Sequence, residues 1–302
     1  MEAVKMEKIA YGGWENCLRL SNGQADLVVT TAVGPRVIRY GFAGKENEFC
    51  EVAADRGKSG GEEWRMYGGH RLWHGPEDRE RTYQPDNREI AWREIPGGVS
   101  LQQPVESGTG IMKELDVRLF PGGSRVELLH RLTNRGLRPA ELSAWAITVM
   151  APGGWEVIPQ PEKADGLLPN RLIALWPYSR LNDPRVAWGG RYIVLRQGPS
   201  AEGPCKLGVP NERGWAAYFN RGRLFLKRYT HFPAARYPDF GVSYETYTND
   251  FMLEMETLSP LSLLAPGGSI EHREEWELFD NISCPGDDEK KIEAALDAVG
   301  IL

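Results

Sequence analysis

Short runs of alternating hydrophobic and polar residues recur along the chain, and Gly, Pro, Asn and Asp separate them. This pattern is typical of antiparallel strands joined by tight turns. The segment from Glu141 to Met150 is instead continuously apolar, which predicts a strand buried on both faces. The pattern therefore predicts an all-β fold, with strands over residues 17–20, 25–31, 36–42, 111–120, 125–134, 141–150, 191–196, 214–219, 224–229, 243–248, 251–258 and 270–279.

Helical periodicity is confined to the C-terminal end of the chain. Residues 287–299 begin with acidic side chains and stop before Gly300, which predicts a short helix. Residues 53–88 and 160–190 show no regular period and are predicted to be long loops, which in compact domains usually serve a function. Because no repeat or change in composition divides the chain, residues 1–302 are predicted to form a single domain.

Composition and charge narrow the possible functions. Hydrophobic residues make up 41% of the 302 residues, enough for a sizeable core. The net charge of −6 and the lack of a long basic block argue against a nucleic-acid partner. No segment is long and apolar enough to cross a membrane, and no signal-peptide pattern precedes the first strand. The four scattered cysteines lack metal spacing, so we expect reduced thiols and a cytoplasmic location.

Aromatic residues are abundant, with ten Trp, 11 Tyr and nine Phe. Most of them should lie in the core, but an exposed minority could stack on the apolar C–H faces of sugar rings. No G-x-S-x-G elbow, phosphate-binding loop or Cys–His metal motif is present, which disfavours acyl-transfer and nucleotide chemistry. No cofactor is expected.

The first candidate cluster lies between Tyr67 and Glu77 and is framed by glycines. It contains His70, Arg71, Trp73 and His74. A histidine of near-neutral pKa can act as a general acid or base. The two histidines also have the spacing of a metal pair, but such a pair reaches one ion most easily from a helix, so no metal site is predicted. The alternative is a structural loop whose histidines only bind the backbone.

The second candidate cluster is the predicted strand that contains Glu254 and Glu256. Because side chains alternate along a strand, these two carboxylates share one face, while Leu253, Met255 and Thr257 occupy the other. Two neighbouring carboxylates repel, so the pKa of one should rise towards that of a useful base. A solvated sheet face is the plainer alternative.

The remaining histidines carry weaker signals. His130 falls on an apolar strand face and is predicted to be a core residue. His231 follows a strand and could reach the same groove as the carboxylates. His272 lies in an acidic strand and is predicted to be on the solvated surface.

Several stretches resemble, in order, the galactose-mutarotase-like (aldose 1-epimerase-like) family. Their order along most of the chain is more specific than any one motif. The resemblance implies a β-supersandwich of large antiparallel sheets with a concave sugar groove. The matching stretches are Val33 to Phe42, His74-Gly75, Leu132-Thr133-Asn134, Leu142 to Met150, Leu253 to Pro260, Leu264 to Gly268 and Trp276 to Phe279.

The resemblance also implies roles for individual residues. Glu256, followed by Thr257, matches the family's catalytic glutamate and would be the base, with Glu254 tuning its pKa or replacing it. His74, or else His70, would be the acid. The expected partner is a monosaccharide or oligosaccharide. Contacts to it are expected from His70, Arg71, Trp73, Arg36, Lys227, Tyr229 and Asp239.

One position departs from the family pattern. Mutarotases carry a second pocket histidine in the long mid-chain strand, and Trp145 stands there in this chain. The usual acid is therefore missing or replaced. Two alternatives stay open: a carbohydrate-binding protein without catalysis, and an oligosaccharide-active hydrolase or lyase-like enzyme. Hydrolysis needs carboxylates on opposite sides of the glycosidic bond, such as Asp239 or Glu77 facing the strand pair. The oligomeric state is not predicted.

Overall fold

The computed structural model describes residues 3–162, 166–199 and 203–302. Strands account for nearly all of the regular structure in these ranges, and one short helix follows them. In chain order the elements are β1 (Lys5–Tyr11), β2 (Trp14–Ser21), β3 (Ala25–Thr30), β4 (Arg36–Phe42), β5 (Gly69–Gly75), β6 (Ala91–Ile95), β7 (Gly98–Gln102), β8 (Ile111–Leu119), β9 (Val126–Asn134), β10 (Ala140–Met150), β11 (Trp155–Pro159), β12 (Ala174–Leu175), β13 (Val186–Trp188), β14 (Tyr192–Arg196), β15 (Cys205–Val209), β16 (Trp215–Asn220), β17 (Arg223–Tyr229), β18 (Tyr244–Thr248), β19 (Leu253–Leu258), β20 (Ser262–Leu264), β21 (Ser269–Asp280) and α1 (Glu289–Asp297).

The strands form two large antiparallel sheets. The 11-stranded sheet has the order β1-β2-β3-β4-β5-β10-β19-β18-β15-β12, and β20 pairs with one end of β10. The 10-stranded sheet has the order β13-β14-β11-β16-β17-β21-β9-β8-β7-β6. Side chains from both sheets meet in one core, where Met255 of the first sheet packs in the same cluster as Phe225 and Trp276 of the second. The predicted all-β supersandwich is confirmed.

The central strand of the first sheet is β10. Every residue from Leu142 to Met150 is buried, as its continuous apolar sequence predicts. It pairs with β5 on one side and β19 on the other. Because β10 lies between them, residues from the two clusters found in the sequence come together across a few strands.

Five strands of this sheet were not predicted: β1, β5, β12, β15 and β20. Among them are β5, which lies inside the predicted loop 53–88, and β15. Both are buried on both faces, and β5 mixes polar with apolar residues on each face, so neither shows the alternation by which half-buried strands are predicted.

The C-terminal helix is present but shorter than the predicted 287–299. Asp288 caps its N-terminus, and its carboxylate accepts hydrogen bonds from the backbone N–H groups of Lys290 and Lys291. Ile292 and Leu296 pack against the outer face of the 10-stranded sheet. Within the described residues, no helix has the length and apolar character that crossing a membrane requires. That residues 1–302 form a single domain stays a prediction.

Candidate functional site

A cavity of about 510 Å³ lies on the face of the 11-stranded sheet that points away from the other sheet. We call it the aromatic pocket. Five adjacent strands supply its floor, and the two long loops supply its walls. Its lining includes Arg71 and Trp73 from β5, Trp145 and Ile147 from β10, Glu254 from β19, Tyr247 from β18, Lys206 from β15, and the loop residues Trp64, Met66, Glu77, Tyr83 and Tyr178.

Strand register sets which side chains meet on the pocket floor. Trp73 lies directly opposite Trp145 in the β5–β10 pair. Glu254 lies opposite Tyr247 in the β18–β19 pair. Directly opposite residues of antiparallel strands point to the same face, so these pairs are neighbours in the pocket.

An ion pair lies on the pocket floor. Arg71 Nη2 donates to Glu254 Oε1 at 3.0 Å, and both side chains are almost fully buried. The guanidinium lies 4.4 Å from the ring centroid of Trp73 and 5.8 Å from that of Trp64. Its Nε and Nη1 are buried and have no hydrogen-bond partner. Since unpartnered buried donors are costly, these two groups are candidates to bind a polar ligand.

A second set of charged residues, centred on Lys206, lies beside the Arg71–Glu254 ion pair. The ammonium is 2.8 Å from Glu245 Oε2 and 3.1 Å from Glu256 Oε2. It also lies 4.5 Å from the ring centroid of Trp145 and 4.6 Å from that of Trp176, as cation–π contacts do. Trp145 Nε1 donates to the same Glu256 oxygen at 2.8 Å.

Burial determines the protonation of Glu245, Glu256 and Lys206. It raises the pKa of both Glu245 and Glu256, and Lys206 lowers each only in part. Burial alone would lower the pKa of Lys206, but the two carboxylates hold it well above its usual value. Two buried carboxylates facing one ammonium carry an uncompensated negative charge when both are ionised. The arrangement therefore favours protonation of one of the two carboxyl groups.

Aromatic rings form the wall of the pocket. Trp64, Trp73 and Tyr83 pack against one another with ring centroids 5.0 to 5.5 Å apart, and Trp73 also contacts Trp145 at 5.4 Å. The hydroxyl of Tyr83 donates to Glu77 Oε1 at 2.5 Å. Such a wall offers apolar faces edged by hydrogen-bonding groups, the surface that a sugar ring requires.

The two carboxylates expected in the groove have different positions. Glu254 lines the aromatic pocket together with Arg71 and Trp73. Glu256 points to the same side of the sheet but is fully buried behind Lys206 and Trp145, and its Oε1 has no partner. The structure thus brings Glu254, and not Glu256, into contact with the cavity.

The histidines of the first cluster lie on the wrong face for the expected role. His70 and His74 alternate with Arg71 and Trp73 along β5, so both point into the sandwich. His70 Nδ1 is 2.9 Å from Thr148 Oγ1. This placement overturns the expectation that either histidine contacts a ligand in the pocket.

His74 has its own buried partners between the sheets. Its Nε2 is 3.4 Å from Glu106 Oε2, and Lys113 lies 2.6 Å from the other oxygen of Glu106. Burial lowers the pKa of His74, which keeps the ring neutral.

Three other expected ligand contacts lie elsewhere. Lys227 is fully buried between the sheets, 2.8 Å from Glu274 Oε1, and the Tyr229 hydroxyl is 3.1 Å from Ser243 Oγ. Both belong to β17 of the other sheet, so neither can reach the pocket. Arg36 is bound to Asp86 at 2.7 Å and to backbone carbonyls of the loop wall, which makes it a support for that loop.

Asp239 and the remaining histidines lie outside the pocket lining. Asp239 belongs to the loop after β17, where its φ is 51°. His130 is a core residue as predicted, with its Nε2 2.7 Å from His70 Nε2. The prediction that His272 is solvated is wrong, because it is buried with its Nε2 2.6 Å from Thr257 Oγ1. His231 is half-buried, and its Nδ1 is 2.9 Å from Ser243 Oγ.

One buried cluster has the donor set of a metal site. Ring nitrogens of His70 and His130 and a carboxylate oxygen of Glu274 lie within 4.8 Å of one another. Lys227 Nζ lies 2.8 Å from one oxygen of the Glu274 carboxylate, and Trp276 Nε1 donates to the other oxygen at 2.9 Å. A fixed ammonium on a ligand oxygen does not fit a cation site, so we interpret this cluster as a satisfied hydrogen-bond network.

Sequence reasoning gave no role to several pocket residues. Lys206 lies in the unpredicted strand β15, and a lysine within the short apolar run Cys205 to Val209 was the available signal. Glu245 and Tyr247 lie in the predicted strand 243–248, but only the β18–β19 register shows that they share a sheet face with Glu254 and Glu256.

Comparison with known proteins identifies the fold. A galactose mutarotase-like protein from Lactobacillus casei superposes with a TM-score of 0.60 over 87% of this chain and 100% of its own, at 11% identity. A candidate aldose 1-epimerase from Klebsiella pneumoniae superposes with a TM-score of 0.60 over 98% of this chain and 86% of its own, at 11% identity. A galactose mutarotase-like protein from Clostridium acetobutylicum superposes with a TM-score of 0.54 over 92% of this chain and 99% of its own, at 9% identity.

These likenesses are structural. No protein-family model matches the sequence, and no curated protein is significantly similar to it. The chain has the galactose mutarotase-like fold, at a sequence identity of about 10% to these solved examples.

Proposed function

We propose that the protein binds a carbohydrate in the aromatic pocket and interconverts its anomers, as an aldose 1-epimerase-like enzyme. One observation carries the proposal. The carboxylate of Glu254 lies on the floor of a cavity walled by Trp and Tyr rings, beside the unpartnered donors of Arg71. Aromatic faces suit the C–H faces of a sugar, and a carboxylate beside free N–H donors suits its hydroxyls.

Glu254 is the base that the geometry favours. It takes the proton of the anomeric hydroxyl while the bond from C1 to the ring oxygen breaks and the C1 carbonyl forms. The ring oxygen takes a proton from Tyr247, the cross-strand neighbour of Glu254. Burial raises the pKa of Tyr247, so its hydroxyl is protonated at neutral pH.

Rotation about C1–C2 and the reverse transfers close the ring as the other anomer. The fixed charges of Arg71 and Lys206 stabilise the negative charge that develops on oxygen. Glu256 holds Lys206 and Trp145 in place and is a positioning residue in this scheme. This reverses the preference for Glu256 that the sequence motif suggested, because Glu256 does not line the cavity.

A second candidate function is carbohydrate binding without catalysis. Among the described residues that line the pocket, none is a histidine. Trp145 stands where the family pattern has its second pocket histidine, and its N–H is already bound to Glu256. This observation favours a pocket that retains sugar recognition but has lost the usual acid.

The two candidates are separated by exchange NMR. Saturation transfer between α and β anomers of a panel of aldoses measures catalysis, and saturation-transfer difference spectra of the same samples measure binding. We expect the wild type to accelerate exchange and Glu254→Gln to lose about 10²- to 10⁴-fold of that acceleration. Glu94→Gln, at an exposed position on β6, is the matched control.

Each other result has a clear meaning. Binding without faster exchange in the wild type would establish the second candidate. Loss of exchange in Glu256→Gln but not in Glu254→Gln would return the role of base to Glu256. No binding of any aldose or oligosaccharide would overturn both candidates.

A further inference from the structure

A second cavity of about 380 Å³ lies beside the aromatic pocket. We call it the polar cavity. Loop residues 79–88 form one side of it, and residues 103–107, between β7 and β8, form the other. Tyr83 lines both cavities, so a single side chain forms the wall that they share.

The polar cavity contains acceptor atoms that lack a partner. The side chain of Gln103 is 95% buried; its amide nitrogen donates to Glu106 at 3.2 Å, but its Oε1 has no hydrogen bond. Asp86 is similar, because Arg36 binds its Oδ2 at 2.7 Å while its Oδ1 is unpartnered. Buried polar atoms without partners are rare in folded proteins, and two in one cavity indicate a ligand that donates hydrogen bonds.

The charges around the cavity restrict the ligand further. Glu106 is ionised, since Lys113 and His74 outweigh the effect of burial and lower its pKa to about 2. Glu62, Glu80, Arg79 and Arg88 lie on the lining as well, and Arg88 pairs with Glu62 at 2.9 Å. Because charges of both signs line the cavity and most of them are paired with opposite charges, neutral hydroxyl groups suit it, and they can donate to Gln103 Oε1 and Asp86 Oδ1.

We propose that the polar cavity is a second sugar subsite, so that the natural ligand is an oligosaccharide with one unit in each cavity and the linkage passing over Tyr83. The inference rests on the proposed carbohydrate-binding function. The two cavities differ as adjoining subsites would: one has aromatic walls for a ring face, and the other has polar acceptors for hydroxyls.

The test is a chain-length series measured by isothermal titration calorimetry on the full chain. The probes are glucose, galactose and their neutral oligomers of two to four units. We expect the Kd to fall at least tenfold between monomer and dimer for the matching series. Ser107→Trp, at an exposed position on the rim, should fill the polar cavity and remove that gain while leaving the monosaccharide Kd unchanged.

Two further variants keep the test decisive. Gln103→Met removes the unpartnered acceptor at similar volume and should weaken oligosaccharide binding severalfold without changing monosaccharide binding. Lys290→Trp places the same ring on the remote helix α1 and should bind as the wild type does. Monosaccharide binding without any gain from chain length, or a gain that survives in Ser107→Trp, would overturn the subsite and leave the proposed function intact. Absence of all sugar binding would overturn both.

Discussion

Replacing Lys206 by methionine tests the charge arrangement at the pocket most directly. The change keeps the length of the side chain but removes the ammonium that lies 2.8 Å from Glu245 and 3.1 Å from Glu256. Both carboxylates are then buried beside each other with no cation. The Lys206→Met protein should therefore be less stable, and the loss should depend on pH.

The expected size follows from the burial of all three groups. Removing one partner of a buried ion pair typically costs about 3–5 kcal/mol, because the remaining charge is left uncompensated. Lys206 is 4% exposed, and Glu245 and Glu256 are at or below 1%, so solvent offers almost no screening. We expect a loss of about 3–5 kcal/mol in the free energy of unfolding at pH 8.

The sign of the pH dependence can be worked out for these carboxyls. Burial raises their folded-state pKa, and loss of Lys206 raises it further. Below the unfolded pKa of about 4.3 both are protonated in either state, and no penalty arises. As pH rises towards the folded pKa, the unfolded chain releases protons that the folded chain retains, so folding becomes less favourable. The loss in Lys206→Met should be smaller at pH 5 than at pH 8.

Urea unfolding followed by tryptophan fluorescence at the two pH values measures this. Lys290→Met, at an exposed helix position, controls for loss of a lysine and should change stability by less than about 0.5 kcal/mol. Adding Glu245→Gln and Glu256→Gln to the Lys206→Met protein should restore most of the loss at pH 8. A loss below about 1 kcal/mol at pH 8, or one that is equal at pH 5, would refute the reasoning.

Three further predictions concern other parts of the structure. Burial raises the pKa of Glu156 to about 8, so wild-type stability should fall by up to about 5 kcal/mol between pH 4.5 and 8; Glu156→Gln should flatten that slope in urea titrations, and an unchanged slope would contradict it. Trp145→Phe removes the N–H that donates to Glu256. The pKa of Glu256, followed by ¹³C NMR, should therefore rise, and the free energy of unfolding should fall by about 1–3 kcal/mol. Asp288→Ala removes the N-cap of α1 and should cost about 1 kcal/mol in thermal unfolding, whereas Asp287→Ala should cost little.

The fold was largely predictable because many strands have one face in the core and the other near solvent. In β9, buried and half-buried positions alternate from Val126 to Leu132, and the sequence shows the same alternation. In β10 the continuous apolar run corresponds to a strand covered on both faces. Both patterns follow from the environment of a strand, so they can be recognised without knowing its neighbours.

The site was less predictable because it depends on which strands are neighbours. A period of two correctly placed Glu254 and Glu256 on one face. The same rule would have separated His70 and His74 from the pocket, but only if β5 had been recognised as a strand. Lys206 reaches the site because β18 lies between β15 and β19, an order that no local pattern reveals.

The pocket differs from a histidine-based site in how its polar groups are held. Arg71 and Lys206 each lie against two tryptophan rings and are paired with buried carboxylates, so both donors are fixed in position. A histidine can exchange a proton near neutral pH, but a cation held in this way cannot. Such cations orient hydroxyls and stabilise developing negative charge, which serves recognition in either candidate function. In the proposed epimerase, proton transfer then falls to Glu254 and Tyr247, and the loss of anomer exchange in Glu254→Gln separates an epimerase from a binding protein.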